Sequence, residues 1–277
     1  MHNHAEGESG RRVRHREGRR ELSAKEVPLL VRCRRTGRPG FGVILPMIDP
    51  ACRAVPHRGR SRVCSHGPVH SWAVVVPAKR LALAKTRLRP VTEALGRAGH
   101  EELVLALLAD TVTAALACPA VGSVLVVTDD PAARGVVRQL GALVVPDAPD
   151  RGLNPALEHG HSVAGAGAVA ALSSDLPALR PAELEAALRA AEGAARCFVA
   201  DAHGTGTTLL TAVDAPLDPR FGVESAAAHR ASGAAALVGE WPGLVRDVDT
   251  GADLDAAVTL GVGPWTSSFV GRLRAAR

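Results

Sequence analysis

From residue 72 onward two patterns alternate along the chain. Short apolar runs of five to eight residues, each closed by a proline or an acid, are separated by longer stretches whose apolar positions recur three and four apart. The runs fall at 72–77, 121–128, 142–146, 168–172 and 196–201. They predict strands buried on both faces of a sheet, because a strand with one wet face would alternate apolar and polar residues. Helical patterns lie at 101–117, 131–140 and 181–191, and the loop 150–157 opens another. After 201 the rhythm changes. A glycine turn at 204–206 leads into a sixth strand, the loop 219–226 enters a helix at 226–232, a seventh strand follows at 235–239, and a last helix spans 253–260. Strand–helix–strand units of this kind stack by right-handed crossovers. The expected fold class is therefore α/β, a doubly wound, mostly parallel sheet.

Composition narrows the core. The chain is 47% hydrophobic but only 3% aromatic, with no Tyr, so packing rests on aliphatic residues, with Phe198, Phe221, Trp241 and Trp265 as the few large pieces. No apolar run approaches the roughly 20 residues of a membrane span. No secretory-type apolar segment follows the N-terminal charges, and a cytoplasmic location is expected.

Charge divides the chain in two. Residues 1–70 carry fourteen Arg and one Lys against five Glu and one Asp, a net +9, whereas the remainder carries −4. The expected organisation is a basic N-terminal extension (1–70) and one α/β domain (71–277). An Arg-rich arm can bind nucleic acid or an anionic surface. Its composition also fits a disordered or non-native extension, and that reading is preferred, so no nucleic-acid partner is expected. Cys33, Cys52 and Cys64 lack the paired spacing of a zinc site, and Cys118 and Cys197 read as small buried hydrophobes.

The candidate chemistry sits where the apolar runs end. The first strand leads into 78–88, where Lys79, Arg80, Lys85 and Arg87 occupy four of the nine positions 79–87, a place for phosphate groups or simply a solvated basic face. Neither a P-loop nor a dinucleotide-binding glycine motif is present. The fourth run ends in Ser173-Ser174-Asp175. A carboxylate at the carboxyl end of a buried strand can hold a metal ion against a phosphate, or it can cap the next helix. Gly152 and Asn154 at a helix start, and Gly222 and Ser225 at another, suit an anion or ordinary turn and cap chemistry. Asp247 and Asp249 alternate in an extended segment and so share a side, with Asp249 or Thr250 also able to cap the last helix. His203 and His229 read as structural, since no nucleophile accompanies them. The sum suits metal-assisted transfer at a nucleotide phosphate.

In order, VPAK (76–79), AKTRL (84–88), GLN (152–154), SDLP (174–177), GTGTTLL (204–210), PRFGVESAAAH (219–229) and RDVDT (246–250) resemble the phosphoenolpyruvate (or 2-phospho-L-lactate) guanylyltransferases of coenzyme F-420 biosynthesis. The resemblance covers about 72–262. It implies a nucleotidyltransferase fold akin to the molybdenum-cofactor guanylyltransferases. It implies GTP and a small phosphorylated three-carbon acid as substrates, giving enolpyruvoyl-2-diphospho-5'-guanosine or its counterpart plus pyrophosphate, with the product passed to a following enzyme. Carried over by position, Asp175 and Asp247 would bind Mg²⁺, Thr207, Gly222 and Ser225 the acid, Lys79 and Lys85 the GTP phosphates, and Gly152 and Asn154 the nucleotide. Lys79, Lys85 and Asp175 would be the catalytic set. Glu224, an acid inside an anion-binding loop, is expected to point away. Two alternatives stand beside this reading: a nucleotidyltransferase of the same fold acting on a sugar phosphate or molybdopterin, and a nucleic-acid binder acting through the arm.

Overall fold

The computed structural model describes residues 71–81, 84–148, 150–165 and 167–275. The expectations for residues 1–70 lie outside the described residues. Seven strands form one sheet: β1 (Trp72–Pro77), β2 (Val121–Val127), β3 (Leu143–Val145), β4 (Ala168–Leu172), β5 (Arg196–Ala200), β6 (Thr207–Val213) and β7 (Ala235–Ala236). Their order is β3-β2-β1-β4-β6-β5-β7. All pairings are parallel except those of β6, which runs antiparallel to both β4 and β5. Only six residues, 201–206, join β5 to β6. A parallel crossover needs a dozen or more, so the link can only be a hairpin.

Both faces of the sheet are buried, as the continuous apolar runs require. Val74 and Val76 pack on one side with α1 (Gly96–Leu116), α2 (Pro131–Leu140) and α4 (Pro181–Ala191). Val75 and Phe198 pack on the other with α3 (Leu153–Ala164) and α5 (Ser225–Ala231). Gly160 of α3 lies directly on the sheet, where an added Cβ would come within 2.4 Å of Val75 Cγ1. The largest buried side chains are Trp72, Phe198 and Phe269. Trp265, expected in the core, is 40% exposed, and Phe221 is only half-buried.

Further boundaries differ from expectation. Helix α1 starts at Gly96, five residues before the expected start at 101, and β7 is only two residues long. Beyond α6 (Gly251–Leu260) an unforeseen helix, α7 (Pro264–Ala275), packs Phe269, Val270 and Leu273 into a third cluster with Leu103 and Leu107 of α1. Asp110, buried in the middle of α1, explains how α7 begins. Its carboxylate accepts from the amides of Trp265 (3.1 Å) and Thr266 (2.8 Å), two of the donors a helix start leaves without partners. Burial pushes its pKa up, and those amide bonds work against the shift. Asp110→Ala strands these amides, and a loss of about 1–3 kcal/mol is expected in urea unfolding, with activity per folded molecule unchanged.

Candidate active site

In the sheet order the chain leaves β1 towards β2 and β3, then returns to β4 on the other side of β1. Such a reversal opens a crevice at the carboxyl ends of the two central strands. A cavity of about 680 Å³ lies there, lined by Ala78 and Lys79 after β1 and by Ser173, Ser174 and Asp175 after β4. Because β6 is reversed, its beginning reaches this same edge, which brings Thr205, Gly206 and Thr207 to the cavity wall.

Asp175 is held through its neighbours. The amide of Leu176 donates to Thr111 Oγ1 (2.9 Å), and the carbonyl of Asp175 accepts from the amide of Val248 (3.1 Å). That second bond fixes the segment around Val248 beside Asp175, and the carboxylates of Asp247 and Asp249 on either side of Val248 meet that of Asp175. Ligand oxygens of the three carboxylates lie within 4.8 Å of one another. Asp175 and Asp249 cap no helix, whereas Thr250, the other candidate for the last helix, does cap it. Helix α4 is entered from Arg180 with no side-chain cap, and α6 is capped by a reciprocal pair, Thr250 and Asp253. Asp249 thereby joins the acid cluster instead of closing a helix.

The cluster carries its own cation. The Lys85 ammonium bonds to Asp175 and to Asp249 Oδ1 (2.5 Å). Burial pulls the Lys85 pKa down, but the two carboxylates outweigh it and hold the ammonium above the ordinary lysine range. Its backbone is left-handed, at φ 50°, a conformation a residue with a Cβ adopts only when its surroundings impose it. Asp247 has the opposite problem. Burial, reinforced by repulsion from Asp175 and Asp249, pushes its pKa up to about 7. Three carboxylates this close, one of them resisting ionisation, with a lysine drawn in among them, form an oxygen donor set suited to a hard divalent cation.

The opposite wall is made of hydroxyls. Thr207 and Ser225 are buried, with Ser225 Oγ donating to Thr207 Oγ1 (3.2 Å), and Gly222 lines the cavity at φ 140°, open only to glycine. Glu224, expected to face away, is exposed on the cavity rim, where its left-handed backbone begins α5. Asp201 also lines the cavity, but one of its oxygens is engaged by the amides of His203 and Thr205, which shape the turn into β6.

Seven of the nine residues singled out from sequence line this one cavity: Lys79, Lys85, Asp175, Thr207, Gly222, Ser225 and Asp247. Gly152 lines a smaller adjoining one of about 300 Å³, which shares Pro77, Ala78, Lys79 and Leu153 with the first and adds Asp129, Asp147 and Asp150. Asn154 has another place. Its side-chain amide donates to the Phe221 carbonyl (3.1 Å) and its oxygen accepts from the Phe221 amide (2.8 Å). Asn154 therefore pins the loop that carries Gly222 and Ser225, and it lies on neither cavity wall. Residues that sequence reasoning did not place in the site are Asp201, Phe221 and the acids of the smaller cavity. Asp201 and Asp129 did have a signal, as acids that close an apolar run.

A mostly parallel sheet with cations after its first strand and carboxylates after its fourth defines the class, an α/β domain of nucleotidyltransferase type. The fold itself recurs in a protein from Desulfovibrio desulfuricans given as a candidate nucleotide-diphospho-sugar transferase, with a TM-score of 0.57 at 16% identity over 75% of this chain and 96% of that one. The chain belongs to the family described as Guanylyl transferase CofC like, whose model matches residues 72–275. It is 66% identical over 205 residues to the phosphoenolpyruvate guanylyltransferase of Geodermatophilus obscurus, covering 73% of this chain and 95% of that protein. It is 58% identical over 203 residues to the protein of that name from Salinispora arenicola, covering 72% and 94%. Among the described residues no helix is long and apolar enough to cross a membrane.

Proposed function

We propose that the protein is a phosphoenolpyruvate guanylyltransferase. It joins GTP to phosphoenolpyruvate, or to 2-phospho-L-lactate, releases pyrophosphate and hands its product to the next enzyme of coenzyme F-420 biosynthesis in the cytoplasm. The observation that carries this reading is the meeting, in one cavity, of a three-carboxylate cluster and a hydroxyl-lined pocket, in a chain whose relatives bear that name.

The reaction asks little covalent work of the protein. A phosphate oxygen of the acid attacks the α-phosphorus of GTP, a new P–O bond forms, and the bond to the β-phosphate oxygen breaks as pyrophosphate leaves. The attacking phosphate is already ionised near neutral pH, so no side chain has to remove a proton. The task is to hold two polyanions together and in line. Lys79 on the cavity rim and Lys85 neutralise the GTP phosphates, while Gly152 lies where the smaller cavity can take the nucleoside. Thr207 and Ser225 hold the acid by hydrogen bonds, with the Gly222 backbone allowing close approach. Asp175 and Asp247, joined by Asp249, would hold Mg²⁺. When bound, that ion supplies positive charge against the reacting phosphates. Asn154 acts at one remove, by holding the loop of Gly222 in place.

Mass spectrometry of products tests the reading. With Mg²⁺ and GTP, incubation with phosphoenolpyruvate, 2-phospho-L-lactate or 3-phosphoglycerate is expected to give the guanylyl diphosphate ester of one acid, with stoichiometric pyrophosphate. Product from a sugar phosphate or from CTP alone would refute it.

A further inference from the structure

Among the described residues, His229 is the one fully buried histidine whose ring reaches the proposed acid pocket without lining it. It lies on α5 and is enclosed by Phe221 edge-on, at 5.0 Å between ring centroids, and by Phe198 at 6.0 Å. Both its nitrogens are engaged, and the partners determine its tautomer. The backbone amide of Arg220 points at Nε2 from 2.9 Å. An amide can only donate, so Nε2 must accept and carries no proton. The neutral ring therefore bears its proton on Nδ1, which lies 2.9 Å from Thr207 Oγ1 and donates to it. The ring stays neutral because burial, with Arg196 and Arg220 nearby, lowers its pKa to about 4 against a weaker opposing pull from Asp218.

The consequence falls on Thr207. Its oxygen accepts from His229 Nδ1 and from Ser225 Oγ. A hydroxyl has two lone pairs and one proton, so with both lone pairs occupied Thr207 has only its proton to offer. We infer that His229 is a positioning residue that fixes Thr207 as a pure hydrogen-bond donor towards the acidic substrate. The chain of bonds runs from the Arg220 amide through the imidazole and the Thr207 hydroxyl to a carboxylate or phosphate oxygen, each bond polarising the next. It also ties the loop that carries Gly222 to the strand that carries Thr207, so that the pocket presents donors to an anion from both sides. The inference rests on Thr207 belonging to the acid's subsite.

Two isosteric replacements separate the bonds. His229→Asn puts an amide NH₂ near the place of Nδ1 and keeps the donor to Thr207, whereas His229→Gln reaches the place of Nε2 and keeps only an acceptor for Arg220. Steady-state pyrophosphate release should show His229→Asn within about threefold of the parent. His229→Gln should raise KM for the acid about tenfold, the scale of one hydrogen bond to a charged group, with kcat and KM for GTP within about threefold. Adding His229→Gln to Thr207→Val should change KM for the acid by less than twofold, since the histidine then has no hydroxyl to orient. Equal effects of Asn and Gln, or multiplying effects in the double variant, overturn the inference while leaving the acid subsite standing. A Thr207→Val protein with unchanged KM for the acid would instead refute the subsite itself, and the inference with it. Equal melting temperatures of the Asn and Gln variants exclude a merely structural difference between them.

Discussion

Asp175→Asn lowers pyrophosphate release by about a thousandfold and leaves the protein folded. The size follows from what the carboxylate is asked to do. If it helps hold a cation against phosphates that carry several negative charges, its loss removes about 4 kcal/mol of charge stabilisation from the reacting complex. The structural side of the substitution nearly cancels. Asn keeps the shape and one oxygen acceptor, and the backbone bonds that fix this segment, from Leu176 to Thr111 and from Val248 to Asp175, do not involve the carboxylate. The lost attraction to Lys85 is offset by relief of the repulsion among three acids within 4.8 Å. Urea unfolding of the cation-free protein should therefore shift by less than about 1 kcal/mol. Near-parental turnover in a folded Asp175→Asn protein would remove this residue from the catalytic set.

The contrast with Asp110 shows what kind of acid a sequence can disclose. Asp110 and Asp175 are both buried carboxylates, yet Asp110 accepts two helix-start amides and Asp175 faces a cavity and a lysine. Asp175 was legible because it ends a buried apolar run, and the carboxyl ends of parallel strands are where such sheets open. Lys79 was legible as a cation just after an apolar run, Ser225 as a hydroxyl at a helix entrance and Asp247 as one of two alternating acids, whereas Thr207 followed only from the family resemblance. Asp110 gave no sign, since its partners lie 155 and 156 residues away on a helix the periodicity did not reveal. That helix did carry a signal in Pro264 at its start and Phe269, Val270 and Leu273 along one side. The orientation of β6 was within reach too, from the shortness of its link to β5. An apolar run reads alike in both directions, so only the loop length could decide. What lay beyond reach were pairings across the cavity. Asn154 with Phe221, 67 residues apart, and Thr207 with His229, 22 apart, are matters of how loops close over the sheet, and no local pattern encodes them.

Lys85→Met is expected to have two large effects of different kinds. The first is on chemistry. A cation proposed to meet the GTP phosphates is gone, and kcat/KM for GTP should fall about a hundredfold or more, because a charge-assisted contact in a dry site is worth several kcal/mol. The second is on the cation-free protein. Lys85 is the counter-charge of Asp175 and Asp249, and its removal leaves an acid cluster in which burial and like charge already push the Asp247 pKa up to about 7. Breaking a buried ion pair on one side costs about 3–5 kcal/mol, and the half-exposed Asp249 brings the expectation down to about 2 kcal/mol. The two effects can be told apart by adding a divalent cation. An ion that enters the carboxylate cluster stabilises the folded state by an amount that grows with its affinity. In the parent protein it has to displace the Lys85 ammonium from Asp175 and Asp249, whereas in Lys85→Met it meets bare carboxylates. Thermal unfolding should thus show a larger rise in Tm with Mg²⁺ for Lys85→Met than for the parent, and little rise for Lys85→Met combined with Asp175→Asn. Equal shifts in all three proteins would mean that the cation binds elsewhere and that Lys85 and the metal do not share these oxygens.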